Sequence, residues 1–226
     1  MARTIYKLRQ ESGTVTLKSS KSGTINMDQP VKQSNRQDDV MDYFSETEKA
    51  IRASRVLAAD IDRAADLCVS ALRNGGKIIF CGNGGSAADA QHLAAELMGR
   101  FLIDRNPLPA LSLTVDTSAL TAIGNDYGFD KVFSRQLRGI AQKGDVVFGL
   151  STSGNSANVV EAFEAARSLG LGTIGLTGQG GGKMKPLSDV LIAVPHAKTN
   201  HIQEVHIAIG HLICAFVEAE LCQPNH

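Results

Sequence analysis

The 226-residue chain has no net charge to speak of: 23 lysines and arginines are matched by 23 aspartates and glutamates. Such a balance gives no electrostatic pull on nucleic acid or on an anionic membrane, so neither is an expected partner. No apolar run approaches the roughly 20 residues needed to span a bilayer. The opening MARTIYKLRQ lacks the apolar h-region of a secretory signal, so a cytoplasmic location is expected. Cysteines are few: Cys68, Cys81, Cys214 and Cys222 are scattered and form no C-x-x-C pair. That spacing argues against a disulfide framework or a cysteine zinc site and for reduced thiols, with Cys68, Cys81 and Cys214 serving as small buried apolar residues. The Walker A pattern G-x-x-x-x-G-K-[ST] is also absent.

What is present begins after a polar leader. Residues 1–40, rich in Ser, Lys and Gln, show no sustained periodicity and read as a mostly disordered extension. Residues 41–226 read as a single domain. Its helical face starts at Tyr43 with Phe44, Ala50, Ile51, Val56 and Leu57, and a second helix follows from about Asp60 to Gly75-Gly76. Five strand-like runs come next, KIIFCG, ALSLTV, DVVFGLS, GTIGLTG and DVLIAV, most of them separated by helices. These helices are expected at 86–100, 118–141 (broken near Gly128) and 155–169, with a last one over 201–221. Near-continuous apolar strands alternating with helices specify an α/β fold: a three-layer αβα sandwich around a five-stranded parallel sheet. Right-handed crossovers then gather the loops at the strand C-terminal ends on one edge, where ligands bind.

Two of those loops suit an anion. In LSTSGNSANVV, the hydroxyls of Ser151, Thr152, Ser153 and Ser156 crowd around Gly154 where a helix starts and exposes its free amides. Amides and hydroxyls together can hold a phosphate without a lysine. Helix capping by Ser or Asn is the competing reading. The other loop, CGNGGSAAD, fits the dinucleotide pattern G-x-G-x-x-[GA]. A dinucleotide fold, however, also needs an acid at the end of the second strand, about 20 residues on. Asp116 lies more than thirty residues from Gly82, and Asp104 precedes the strand. No nucleotide cofactor is therefore expected.

The helix leaving this loop carries His92 and Glu96 at i and i+4, on one face. The last helix holds His201, Gln203, Glu204, His206 and His211 in an otherwise apolar segment. Helix geometry alone would pair Glu204 with His211 (i, i+7) and does not select Gln203. His201 and His206 are open to roles in the core or at an interface.

CGNGGSAADAQHLAAELMGR, TAIGNDYGFDKVFSRQL, LSTSGNSANVVEA and HIQEVHIAIGH together resemble the phosphoheptose isomerases, sugar isomerase (SIS) domain enzymes, over about residues 42–221. The resemblance implies conversion of sedoheptulose 7-phosphate to D-glycero-D-manno-heptose 7-phosphate, on the route to bacterial surface heptose. It implies that Asn83, Gly84, Gly85 and Ser86 line the sugar phosphate, that Asn125 and Asp126 contact the sugar, and that Ser151, Thr152, Ser153 and Ser156 hold the phosphate. It implies zinc, one per subunit, on His92, Glu96, Gln203 and His211, with Glu96 and His211 also the acid/base pair and Gln203 also at the substrate. Asp89 and Arg100 match positions near the site. A homotetramer with sites near subunit interfaces is implied, to which Asp126, Tyr127 and Arg135 could contribute. The alternative is a non-catalytic SIS scaffold that binds the replication initiator.

Overall fold

Five short apolar runs form one all-parallel sheet: β1 (Ile78–Gly82), β2 (Ala110–Ser112), β3 (Val146–Ser151), β4 (Gly172–Gly178) and β5 (Val190–Val194). The structure, a computed structural model, describes residues 35–222. Most of the expected leader over 1–40 lies outside the described residues. A unit boundary falls between Val40 and Met41, and the sheet and every site residue belong to the second unit.

The strand order is β2-β1-β3-β4-β5. The chain runs outward from β1 to β2, then returns to β3 on β1's other side, which places the topological switch point between β1 and β3. Adjacent residues of one strand enter different cores. Ile78 and Phe80 pack beneath α2 (Ala58–Arg73), α3 (Gly85–Met98) and α7 (Thr199–Leu221). Ile79 and Cys81 pack with residues of α5 (Val132–Ile140) and α6 (Ala157–Ser168). The two-residue period of a strand thus feeds two apolar layers, which is why these strands read as unbroken apolar runs.

The helices follow the expected pattern with shifted ends. α1 (Arg36–Ala53) begins ahead of Tyr43, and a short 3₁₀ turn, Ser54–Leu57, joins it to α2. The helix expected over 118–141 is α4 (Thr117–Tyr127) and α5, parted at Gly128, whose φ of 88° a side chain rarely adopts. β2 is shorter than ALSLTV: as the edge strand it pairs only with Ile78–Phe80. α7 is long and apolar enough to cross a membrane by length and composition, yet half of that stretch is buried against the rest of the protein. Cys68, Cys81 and Cys214 are buried free thiols. Burial pushes Cys81 and Cys214 up to about 12, which keeps them protonated and unreactive.

Candidate active site

α3 and α7 lie side by side, brought close by a glycine. A side chain at Gly210 would meet the Leu93 side chain at 2.6 Å, so the missing Cβ lets the two helices approach. The neighbours of that contact form a histidine–carboxylate cluster. His92 Nε2 lies 2.9 Å from His211 Nε2 and 3.1 Å from Glu96 Oε1. The ligand atoms of His92, Glu96 and His211 all fall within 4.8 Å of one another. Phe101 stacks on the His211 ring, centroids 5.5 Å apart.

Gln203 sits earlier along the same seam. A Cβ at Gly85 would fall 1.9 Å from Gln203 Nε2 and 2.6 Å from its Oε1, so the amide occupies the space over the first turn of α3. Glu204, which spacing alone favoured, faces the other way. It accepts from Tyr43 Oη and from Thr47 Oγ1 (2.9 Å), and pairs with His201 Nδ1 at 3.0 Å. α1 therefore claims Glu204, and Gln203 is the polar residue left facing α3.

The hydroxyl loop at the end of β3 is built as the sequence suggests. Ser151 Oγ lies 2.9 Å from Ser156 Oγ and 3.4 Å from Ser153 Oγ. Ser156 stands at the N-cap of α6 but makes no side-chain capping bond, so capping does not account for its hydroxyl. Thr152 holds the loop through its carbonyl, which accepts from Gly178 N at 2.9 Å. Gly154, at φ 63°, presses against the backbone of Gly181 and Gly182. The free amides at the start of α6 and the surrounding hydroxyls make an anion-accepting pocket.

A residue that sequence reading passed over joins the two loops. Asn158, buried on α6, exchanges a reciprocal pair of 2.8 Å hydrogen bonds with Asn83 across the switch point. A second missed pair braces the chain beyond α3. Glu218 of α7 accepts from the amides of Phe101, Leu102 and Ile103 and from Arg105 Nε at 2.8 Å. Burial works against its charge, but these donors win and hold its pKa below the usual carboxylate value. Only a carboxylate on the apolar face of α7 hinted at this role.

The remaining predicted residues are less gathered. Gly84 is exposed at the N-cap of α3, and Ser86 is buried in its first turn. Asn125 and Asp126 end α4, exposed and bonded to each other at 2.8 Å. Among the described residues, no hydrogen bond or ion pair ties them to His92, Glu96 or His211. Asp126 instead lines an open pocket of about 410 Å³ with Tyr127 and Arg135, the guanidinium lying 3.6 Å over the Tyr127 ring. Arg100 is exposed just past α3. Asp116 caps α4, accepting from Ala119 N at 2.9 Å. His206 is buried and bonds the Thr177 carbonyl at 3.0 Å, while the buried His201 ring lies tilted against Tyr43, centroids 4.8 Å apart.

The five-stranded parallel α/β sheet, with a hydroxyl-lined loop at its switch point, is that of a SIS domain, and residues 42–178 match the SIS domain family model. A phosphoheptose isomerase from Akkermansia muciniphila is 58% identical over 170 residues, covering 75% of this chain and 90% of that protein. The solved phosphoheptose isomerase GmhA from Neisseria gonorrhoeae superposes with a TM-score of 0.78 at 49% identity, covering 82% of this chain and all of that one. The Francisella tularensis phosphoheptose isomerase gives 0.79 at 36% identity, covering 82% of this chain and 99% of that one. Within the SIS class, the chain belongs to the phosphoheptose isomerase family.

Proposed function

We propose that this protein is an aldose–ketose isomerase interconverting sedoheptulose 7-phosphate and D-glycero-D-manno-heptose 7-phosphate, working in the cytoplasm on the route to surface heptose. The observation that carries the reading is the gathering of Glu96, His211 and His92, whose ligand atoms lie within 4.8 Å of one another, in a chain that also carries the Ser151–Ser156 hydroxyl loop at the end of β3. Aldose–ketose isomerisation moves one proton between C1 and C2 and another between the two oxygens, through an enediol. Glu96 takes the proton from C1 of the ketose and returns it to C2; His211 moves the proton at oxygen. The phosphate loop fixes the far end of the sugar, and the Asn83–Asn158 pair holds that loop in register with the start of α3.

Zinc fits the residues present. Its ligand atoms typically stand about 3.3 Å apart in a tetrahedron of ~2.0–2.1 Å bonds, close to the 2.9 and 3.1 Å separations here. The buried Asp89 Oδ2, with no hydrogen-bond partner among the described residues, suits a neighbouring cation. His92, Glu96, Gln203 and His211 would hold the ion, which when bound supplies Lewis-acid polarisation of the sugar carbonyl.

We also propose a homotetramer. Ile51, Val56, Leu212 and Phe216 are exposed, and an apolar groove of about 720 Å³ runs between α1–α2 and α7, a surface suited to copies of the chain. Light scattering at four times the chain mass supports it; a monomer removes it. For the reaction, sedoheptulose 7-phosphate is incubated with the protein and followed by NMR. The aldose signal is expected, and its absence while the ketose still binds would sink the isomerase reading.

A further inference from the structure

The torsion that turns an imidazole joins an sp³ to an sp² carbon and is broad, so by itself it leaves the ring plane loosely set. In a working histidine the plane is commonly held by a carbonyl or carboxylate on the second ring nitrogen. His211 has no such partner among the described residues. Its one hydrogen-bond contact there is Nε2 against His92 Nε2, at 2.9 Å. What it has instead is the Phe101 ring, tilted only 15° from the imidazole, with centroids 5.5 Å apart.

Phe101 lies between α3 and β2, outside helix and strand, yet its backbone is tied down. Its amide donates to Glu218 Oε1 at 3.0 Å, and the amides of Leu102 and Ile103 donate to Oε2 at 2.7 and 3.1 Å. Glu218 also accepts from Arg105 Nε at 2.8 Å. That guanidinium donates onward to the carbonyls of Glu96 and Leu97, both at 2.9 Å, and of Gly99 at 3.1 Å. The Arg105 and Glu218 side chains are 2% and 3% exposed, so these charge-assisted bonds are made away from water, where they are strong. Glu218 follows His211 by seven residues, two turns on along the same face of α7. One carboxylate thus ties the segment bearing Phe101 to the helix bearing His211, and Arg105 ties it to the backbone of Glu96.

We propose that Phe101 is a positioning residue for His211: its ring, anchored through Glu218 and Arg105, sets the plane in which the imidazole faces His92 and Glu96. The inference rests on the isomerase reading above, in which His211 moves the proton at oxygen. A carbonyl bonded to Nδ1 would also orient the imidazole, but it would occupy that nitrogen and fix the tautomer. An aromatic face makes no claim on either nitrogen. His211 is oriented and keeps Nδ1 free of a protein partner. Phe101 has no proton to exchange; it acts through His211.

Phe101→Leu and Phe101→Tyr separate the aromatic plane from bulk, because leucine fills much of the space without a flat face and tyrosine keeps one. Loss of a group that orients a working histidine typically costs about 10–100-fold. With sedoheptulose 7-phosphate, kcat in Phe101→Leu is expected to fall at least about 10-fold with KM little changed, and Phe101→Tyr to stay close to wild type. The stack is also read without turnover, by proton–carbon NMR of protein labelled at histidine. An overlying aromatic ring shifts the imidazole C–H signals, and the His211 signal is identified by its loss in His211→Gln. Phe101→Leu is expected to move that signal and Phe101→Tyr to leave it near its wild-type place. The signal of buried His206, on the same helix, should stay put in both; general loosening of α7 would move it too. Wild-type kcat in Phe101→Leu, an equal loss in Phe101→Tyr, a His211 signal unmoved by leucine, or a His206 signal that moves with it would each overturn the proposal. A wild type that makes no aldose, while its His211 signal still responds to Phe101→Leu, overturns the isomerase reading on which the proposal rests, a result distinguishable from the other four.

Discussion

Gly85→Ala separates catalysis from stability in one substitution. The new Cβ would stand 1.9 Å from Gln203 Nε2, so the amide must retreat by about 1.5 Å to reach ordinary contact near 3.4 Å. Misplacing a site group by ~1 Å can cost about 10²-fold in rate, so kcat/KM for the heptose phosphate should fall about 100-fold, equivalent to ~2.7 kcal/mol. Folding should hardly notice. The displaced atoms are the tip of a flexible side chain, and alanine gains up to ~1 kcal/mol over glycine within a helix. For a chain of this size ~1 kcal/mol moves the melting temperature by about 2–4 °C. Steady-state kinetics by NMR or a coupled assay, paired with a thermal melt, gives both numbers. Retained kcat/KM would refute the view that Gln203 needs the space over Gly85. A large fall in melting temperature would refute the claim that the damage is confined to the site.

Glu96→Gln should lower turnover by at least about 10²-fold while calorimetry still detects ketose phosphate binding; near-normal turnover would remove Glu96 as the base. Ser151→Ala and Ser156→Ala each delete a hydroxyl to a charged phosphate, a bond of ~1.5–3 kcal/mol. KM should rise roughly 10- to 150-fold with kcat much less affected, and an unchanged KM would place the phosphate elsewhere. Glu218→Ala strands the buried Arg105 guanidinium, whose side chain is 2% exposed; urea unfolding should report a loss of ~3–5 kcal/mol, and a negligible change would show that the pair does not brace the 101–105 segment. Burial lowers the pKa of His206 from 6.5 to about 4, against the Thr177 carbonyl, which raises it. Between those values the unfolded chain binds a proton that the folded chain does not, so stability is intact above pH ~6.5 and falls by about 3 kcal/mol on the way to pH 4. His206→Gln should flatten that part of the urea-unfolding profile, and an unchanged slope would clear His206.

Local pattern carried most of the fold into the sequence. Ile78, Ile79, Phe80 and Cys81 read as an apolar run because both faces of β1 are covered, and Gly128 marked the break between α4 and α5. His92 and Glu96 were legible because one helix sets their spacing. Gln203 was not, since spacing within α7 favoured Glu204. The choice is made by α1, whose Tyr43 and Thr47 bind Glu204, and by the empty Cβ position of Gly85. Asn158 and the Glu218–Arg105 pair escaped notice for the same reason: their partners lie 75 and 113 positions away in the chain, beyond any periodicity.

The Asn83–Asn158 pair also bears on how this site tolerates change. Two primary amides facing each other are self-complementary, each giving one hydrogen and taking one. Aspartate at either position would set a carboxylate oxygen against the partner's carbonyl oxygen, and alanine would leave a buried amide unanswered. Neither residue can drift alone. A survey of single substitutions would score both positions as intolerant, although what is fixed is the match between them. Swaps that preserve the match, or replace both amides by apolar groups of similar shape, are the variants in which the two loops can be kept together.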